Sequence, residues 1–452
     1  MKVLNKFIVA LSVASLLVFT ACEDRTDLTA PAPPSTGNVN FSSFVTLGNS
    51  ITAGYQSGSL YQSAQIYSYG NQIAKLVGTS FAQPYFSDPG TPGRLEFGGF
   101  TASGIIINTN TASGVPTNTA YAAPYNNLGV PGAILYDIID ETDFAAKSAA
   151  RANPLFSAIL RSSSLGTSIL KQALNLHPTM LTMWIGNNDV LGYATSGGTT
   201  GTDAATHSLP TDVPTFTYLY SAISAQLAAS GAKVAVANIP PISAIPFFNT
   251  VFPLLKVTYP TITLYGQTKS GVRALVFGQD LLLLTSLEEL IGSNGQPTGV
   301  GLSPANPLPD KYILDKDEVA IVNSAVTSFN SVIAQQASAN NFALVDINAA
   351  FNQFAVRGSN GMYVGKVIDG IKFTPDFVTG GLFSLDGVHP SSQGQAIIAN
   401  SFIQAINAKW SSNIPYINVS TVPASIIIGK MAHFANNGML IFEKGAFENV
   451  LF

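Results

Sequence analysis

Four short polar stretches carry side chains that could do chemistry together: Ser50, Gly132, Asn188, and Asp386 with His389. A serine hydroxyl becomes a strong nucleophile only when a neighbouring base takes its proton. Imidazole suits that task near neutral pH, and a carboxylate beside it fixes its tautomer and stabilises its positive charge. The carbonyl oxygen under attack turns negative and needs N–H donors, which glycine backbone and an Asn amide can supply. Every part of that machinery has a candidate here. Three of these members also have a plainer reading. Ser50 could simply cap a helix, the segment 127–132 could be turn chemistry, and Asn188 could be a turn residue at a strand end.

The elements that must position these groups are legible as short apolar runs. Residues 44–47 read as a buried strand ended by Gly48, and Ser50 stands on the turn that follows. A second strand runs from Tyr125 into the Gly-rich turn at Gly132 and then an apolar helix. Residues 179–185 form a third, ended by Gly186-Asn187-Asn188-Asp189, with a polar surface loop at 194–209. Residues 232–239 and 342–347 supply two more. Helical patterns at 68–77, 218–229, 315–339 (capped by Asp315 or Asp317) and 392–410 lie between or after them. Strands alternating with helices predict a parallel sheet covered on both faces. All strand ends of such a sheet emerge on one edge, so Ser50, Gly132 and Asn188 can converge there, with His389 reaching in from the loop before the last helix.

With the order Gly48-Asn49-Ser50, Asn127-Leu128-Gly129-Val130-Pro131-Gly132, Gly186-Asn187-Asn188-Asp189 and Asp386-Gly387-Val388-His389-Pro390, the chain resembles the SGNH hydrolases, also called GDSL esterases/lipases, over residues 41–412. The resemblance implies a flavodoxin-like three-layer α/β/α sandwich with a five-stranded parallel sheet. It implies Ser50 as nucleophile, His389 as base and Asp386 as the group orienting it. It further implies an oxyanion hole made by the N–H groups of Ser50 and Gly132 and the Asn188 side chain. One departure stands out: the family has Asp where this chain has Asn49. The family's Asp is outside the triad, so turnover is expected to survive, while a non-catalytic glycan-binding or scaffold protein on the same fold is the competing reading.

Composition narrows the remaining options. The 452 residues are 46% hydrophobic and only 10% charged, with 39 Gly and 26 Pro, which describes a large core under long uncharged loops. A net charge of −4 without basic runs gives no footprint for nucleic acid. Four histidines without metal-ligand spacing and one cysteine predict neither metal nor cofactor. His177, His207 and His433 read as solvated loop residues, and Trp184 as core.

That single cysteine, Cys22, closes a segment with Lys2 and Lys6, an apolar run from Phe7 to Phe19, and small residues before the boundary. This resembles a bacterial lipoprotein signal at 1–21, with Cys22 lipidated; an ordinary cleaved signal is the alternative. Residues 22–40, with Pro31, Pro33 and Pro34, read as a flexible tether. The expected location is therefore the bacterial cell envelope, as an outer-membrane or surface lipoprotein, with a lipid or acylated-carbohydrate ester as substrate. Insertions are expected near 79–123 and 247–309, the latter with an apolar helix at 281–291. Tyr85, Phe86, Phe97 and Phe100 would line a substrate cleft or form the first insertion's own core. Strands are expected at 426–428 and 439–442, in a 413–452 extension of unassigned role.

Overall fold

Successive side chains of a strand point to opposite faces, so a strand buried on both sides must be apolar throughout. Five short, mostly apolar segments of this chain approach that condition, and in the computed structural model, which describes residues 33–101, 104–199, 209–292, 295–359, 361–424 and 440–442, they form one sheet. They are β1 (Phe44–Gly48), β2 (Asn127–Gly129), β3 (Met180–Trp184), β4 (Lys233–Ala237) and β5 (Ala343–Val345). The order is β2-β1-β3-β4-β5 and every pair is parallel. The topology switches between β1 and β3, the crevice where open α/β sheets bind ligands.

Alternation divides the core into two layers. Val45, Leu47, Leu181, Met183, Val234 and Val236 face one way, and Phe44, Met180, Trp184, Ala235 and Ala237 the other. The principal helices are α1 (Tyr69–Val77), α2 (Asn188–Thr195), α3 (Val213–Ala229), α4 (Lys316–Ala339) and α5 (Ser392–Trp410). Helices α3 and α4 cover the first face, where Phe216 stacks on Phe329 with centroids 3.9 Å apart. Helices α1 and α5 cover the second, where Tyr69 stacks on Phe402 at 4.7 Å. The three-layer sandwich expected from the sequence is thus present. Among the described residues no helix is long and apolar enough to cross a membrane.

Several local expectations are corrected. Residues 281–291 are not one helix. They make a two-residue strand, Leu281–Leu282, antiparallel to Ile313–Leu314, then a 3-10 turn, Leu284–Ser286, and a four-residue helix, Leu287–Leu290. An uninterrupted apolar run has no periodicity to separate strand from helix, and here Leu282, Leu283, Leu284, Leu287 and Leu290 are all buried. The stretch after Gly132 is a 3-10 helix, Leu135–Ile138. Helix α3 starts five residues earlier than its apolar pattern, because Asp212 caps Thr215 N–H and Pro214 fits the first turn. Of the two candidate caps for α4, Asp315 does the work, in a capping box with Glu318. The surface loop expected at 194–209 is in its first residues the end of α2.

The boundary of the folded part also moves. Val39 is buried with Phe41, and the Thr36 carbonyl accepts a hydrogen bond from the Ser412 hydroxyl at 2.9 Å, so residues 36–40 belong to the body and not to a tether. At the other end, Asn407 and Asn400, about two turns apart on one face of α5, exchange paired amide bonds with the backbone of Ile414 and Ile417 respectively. The Gln393 amide, donating to the Val422 carbonyl, fastens the chain to α5 as far as Val422. The first insertion carries the hairpin Arg94–Thr101 with Gly104–Asn110, and Leu440–Phe442 adds a parallel strand to it. Cys22, His207, His433 and residues 426–428 lie outside the described residues.

Candidate active site

Ser50 opens a four-residue helix, Ser50–Ala53, directly after β1, and the Asn49 side chain accepts the Ile51 N–H to cap it. This turn packs so tightly onto the sheet that two neighbours must lack side chains. A Cβ on Gly48 would stand 2.4 Å from the Trp184 carbonyl oxygen, and one on Gly129 would stand 2.3 Å from Ala53 N. Both collisions are with backbone, so no rotamer relieves them. From below, the Tyr69 hydroxyl bridges Thr52 and Thr182 at 3.2 Å each. Gln395, wholly buried on α5, accepts from Tyr69 N and donates to the Ile51 carbonyl. That amide ties the helix following His389 to the turn carrying Ser50, and nothing in the sequence flagged it.

His389 then meets Ser50 across 339 positions of sequence, Nε2 lying 2.8 Å from the serine Oγ. Its Nδ1 is 3.0 Å from Asp386 Oδ2, and its ring packs against Tyr55 with centroids 4.7 Å apart. Asp386 has no exposed surface. Burial alone pushes its carboxyl up, but the charge and hydrogen bond of His389, with the N–H groups of His389 and Val388, outweigh this and hold it below the usual carboxylate range. Gly58 N–H donates to Oδ2 as well. The carboxylate is therefore ionised and fully engaged, oriented to hold Nδ1–H and leave Nε2 free to take the serine proton.

Gly132 and Asn188 line the same cleft as Ser50 and His389. The loop holding Gly132 is pinned by groups far along the chain. Arg151 donates to the Gly132 carbonyl at 3.2 Å while gripping Asp137, and Asn153 donates to the Pro131 carbonyl at 2.8 Å. The Asn188 amide gives one hydrogen to the Ala133 carbonyl at 2.9 Å, which fixes its orientation and leaves its second hydrogen for the cleft. Asp189, the next residue, joins the same loop to the rest: its carboxylate accepts from Leu135 N–H at 2.9 Å and from the Thr211 hydroxyl at 2.8 Å.

Asp189 is fully buried, and burial pushes its pKa up to about 6 despite those donors. The folded protein therefore holds this proton more tightly than the unfolded chain, whose Asp titrates near 4. Stability is lost as pH rises from about 4 to about 6, and the full penalty, on the order of 3 kcal/mol, stands above pH 6. Asparagine can keep both bonds, with the carbonyl facing Leu135 N–H and the amide facing Thr211. Asp189→Asn is expected to melt above the wild type at pH 7.5, with the gap closing toward pH 4. Thermal melts across that range check the sign, and an Asn variant less stable at pH 7.5 would refute it.

The remaining sequence candidates fall elsewhere. Phe86 is buried in the main core with Phe97 packed against that core, so these aromatics hold the insertion to the body; neither lines the Ser50 cleft. His177 is on an exposed turn at φ +46°. Trp184 is core, its Nε1–H donating to the Asn238 carbonyl at 3.1 Å, although one edge reaches the cleft wall. Among the described residues no group of three or more His, Cys, Asp or Glu side chains is placed to hold a metal ion.

A serine, an imidazole and a buried carboxylate in one hydrogen-bonded series, at the switch point of a doubly wound sheet, define a serine-hydrolase type of site. Comparison with known families agrees. The chain belongs to the GDSL-like lipase/acylhydrolase family, whose model matches residues 44–402, and it is accordingly an ester-hydrolysing enzyme. No curated protein matches the sequence. Among solved structures, the chain is similar to LAE5, an alpha/beta hydrolase enzyme from the metagenome of Lake Arreo, at 12% identity and a TM-score of 0.34, covering 82% of this chain and 97% of that one. It is also similar to an extracellular lipase from Streptomyces rimosus, at 14% identity and a TM-score of 0.33, covering 81% and 98%. A phospholipase A1 from Streptomyces albidoflavus stands at 14% and 0.31, with the same coverage.

Proposed function

We propose that the chain is a lipid-anchored serine esterase of the cell envelope that cleaves carboxylic esters through an acyl-enzyme, with Ser50 as nucleophile. The observation that carries this reading is the series Ser50–His389–Asp386, at 2.8 and 3.0 Å, opening into a largely apolar cleft. Ser50 Oγ attacks the ester carbonyl as its proton passes to His389 Nε2. The oxygen, now negative, is met by the N–H groups of Ser50 and Gly132 and by the Asn188 amide. The carbonyl–alkoxy bond breaks, and the alcohol leaves with the proton from His389. Water then repeats the sequence on the acyl-serine and releases the acid. Ile51, Val190, Ile239, Ile242 and Val388 on the cleft wall favour an acyl chain over a bare acetyl group, because apolar surface buried against such a wall gains about 25 cal/mol per Å². A fluorophosphonate reacts only with an activated serine, so it is expected to label the wild type at Ser50; an unlabelled, folded protein would overturn the reading.

Asn188 carries a quantitative expectation. Asn188→Ala should lower kcat by roughly 10²–10³ with little change in KM, since its donor matters only when the oxygen is charged. A change confined to KM would return Asn188 to turn chemistry. The anchor rests on Cys22 and the segment before it. A clickable fatty acid fed to expressing cells should label the wild type and not Cys22→Ala, and labelling that persists in the variant would remove the anchor.

A further inference from the structure

Asn187 stands on the cleft wall beside Asn188 with an amide that the fold does not use. It holds the N-cap position of α2, where Asn ordinarily accepts from the first N–H groups of the helix, yet its side chain makes no cap bond. The residue is 2% exposed, and both its Oδ1 and Nδ2 are buried without a partner. Asn49, adjoining Ser50, repeats the pattern in part: its Oδ1 caps the Ser50 helix, while its Nδ2 is buried without a partner. Both residues line the cleft that holds Ser50 and His389. Buried amide groups left unpaired destabilise a fold. Three such atoms, on two residues that line the cleft holding Ser50, point to a ligand that pairs with them.

We propose that Asn187, with Asn49 beside it, binds a free hydroxyl on the alcohol half of the ester, so that the preferred substrates are partial esters of polyols. This rests on the serine-esterase reading and adds the alcohol side to it. A hydroxyl both donates and accepts, and Asn187 offers an acceptor and a donor on one planar group. It can take the hydroxyl hydrogen on Oδ1 and donate from Nδ2 to a neighbouring oxygen, with the Asn49 Nδ2 as a further donor. An acyl chain has no use for three polar atoms, which assigns the two amides to the alcohol and the apolar side chains of the cleft to the acid. Neither amide is charged, and among the described residues no Lys or Arg lines the cleft, so the match is to a neutral polyol and not to a phosphate. Acylated glycerol and acylated sugar share this chemistry.

The test compares kcat/KM for three esters of octanoic acid: its glycerol monoester, its glucose monoester and its ethyl ester. In the wild type one of the polyol esters should exceed the ethyl ester by roughly tenfold to a hundredfold, and which one does so separates a lipid source from a glycan source. Asn187→Leu, similar in size and without polar atoms, should bring that ratio down at least tenfold. The same change should raise the melting temperature of the free protein, because it removes unpaired buried groups; Asn187→Ala carries the ratio measurement if the Leu variant does not fold. A wild-type ratio near one, or a ratio untouched in the variants, overturns the proposal, as does a lowered melting temperature with the ratio intact. A parallel arm needs no turnover. Calorimetry on Ser50→Ala protein should show tighter binding of a glycerol or glucose monooctanoate than of the ethyl ester, and the added Asn187 change should abolish the difference. Equal binding of all three overturns the hydroxyl assignment, whereas failure of fluorophosphonate labelling strikes only the nucleophile.

Discussion

Ser50→Ala should reduce ester hydrolysis by about 10⁶-fold in kcat, and His389→Ala by a similar factor, because the two act as one unit. The 2.8 Å contact between His389 Nε2 and Ser50 Oγ is the physical reason. Without the base the hydroxyl is a poor nucleophile, and without the hydroxyl the base has no proton to take. The double variant should therefore be scarcely worse than either single one, with residual turnover coming from the oxyanion donors and substrate binding. Fold is not expected to suffer in Ser50→Ala, since the helix cap is supplied by Asn49 and the turn is held by Gln395. The measurement is kcat on an aryl ester with the fluorophosphonate signal in parallel. If the two losses multiply, the groups act independently and the series is not the reacting unit.

What the sequence disclosed and what it hid follow from range. The residues of the relay were legible because the reaction admits few side-chain types, and those types sit at the ends of strands whose apolar runs are continuous. Their supports were not legible. Gln395 reaches Ile51 across 344 positions, and Arg151 reaches Gly132 across 19; neither an amide on a helix nor an arginine after one announces a distant carbonyl. Residues 281–291 misled for another reason, since leucine in an unbroken run fits a helix and a buried strand equally. The amides of Asn400 and Asn407 explain why the chain beyond α5 stays on the body, and their spacing of seven carries that meaning only once Ile414 and Ile417 are seen folded back beside them.

Asn49 illustrates how a departure from a family pattern is absorbed. A carboxylate at that position could accept the Ile51 N–H as the Asn oxygen does, so capping the Ser50 helix asks only for an oxygen. What changes is the second atom, an acceptor in Asp and a donor here. The departure therefore leaves the Ser50–His389 contact in place, and under the polyol-ester proposal it puts a donor where the family has an acceptor.

Asp386→Asn should cost about 10⁴-fold in kcat, and it should cost stability as well. In the wild type both carboxylate oxygens accept only from N–H groups: Oδ1 from Val388 and His389, Oδ2 from Gly58 and from the His389 ring. An amide has one oxygen, so whichever way it turns, its NH2 faces two backbone donors or faces Gly58 N–H and the imidazole. The second orientation makes Nδ1 the acceptor, moves the ring proton to Nε2, and leaves Ser50 without a base. The first leaves two buried N–H groups opposed by a donor, at about 1–3 kcal/mol for each unsatisfied group. The pH dependence of the wild type has the matching sign. Asp386 has a folded pKa below its unfolded value, so the stability it contributes is present above the ordinary Asp value near 4 and is lost as pH falls below it, through the folded pKa. Melting curves from pH 7 down to pH 3 should therefore show a wild-type advantage over Asp386→Asn that shrinks at the acid end. Activity within tenfold of wild type in a folded Asp386→Asn protein would show that the carboxylate neither sets the tautomer nor supports the charge on His389.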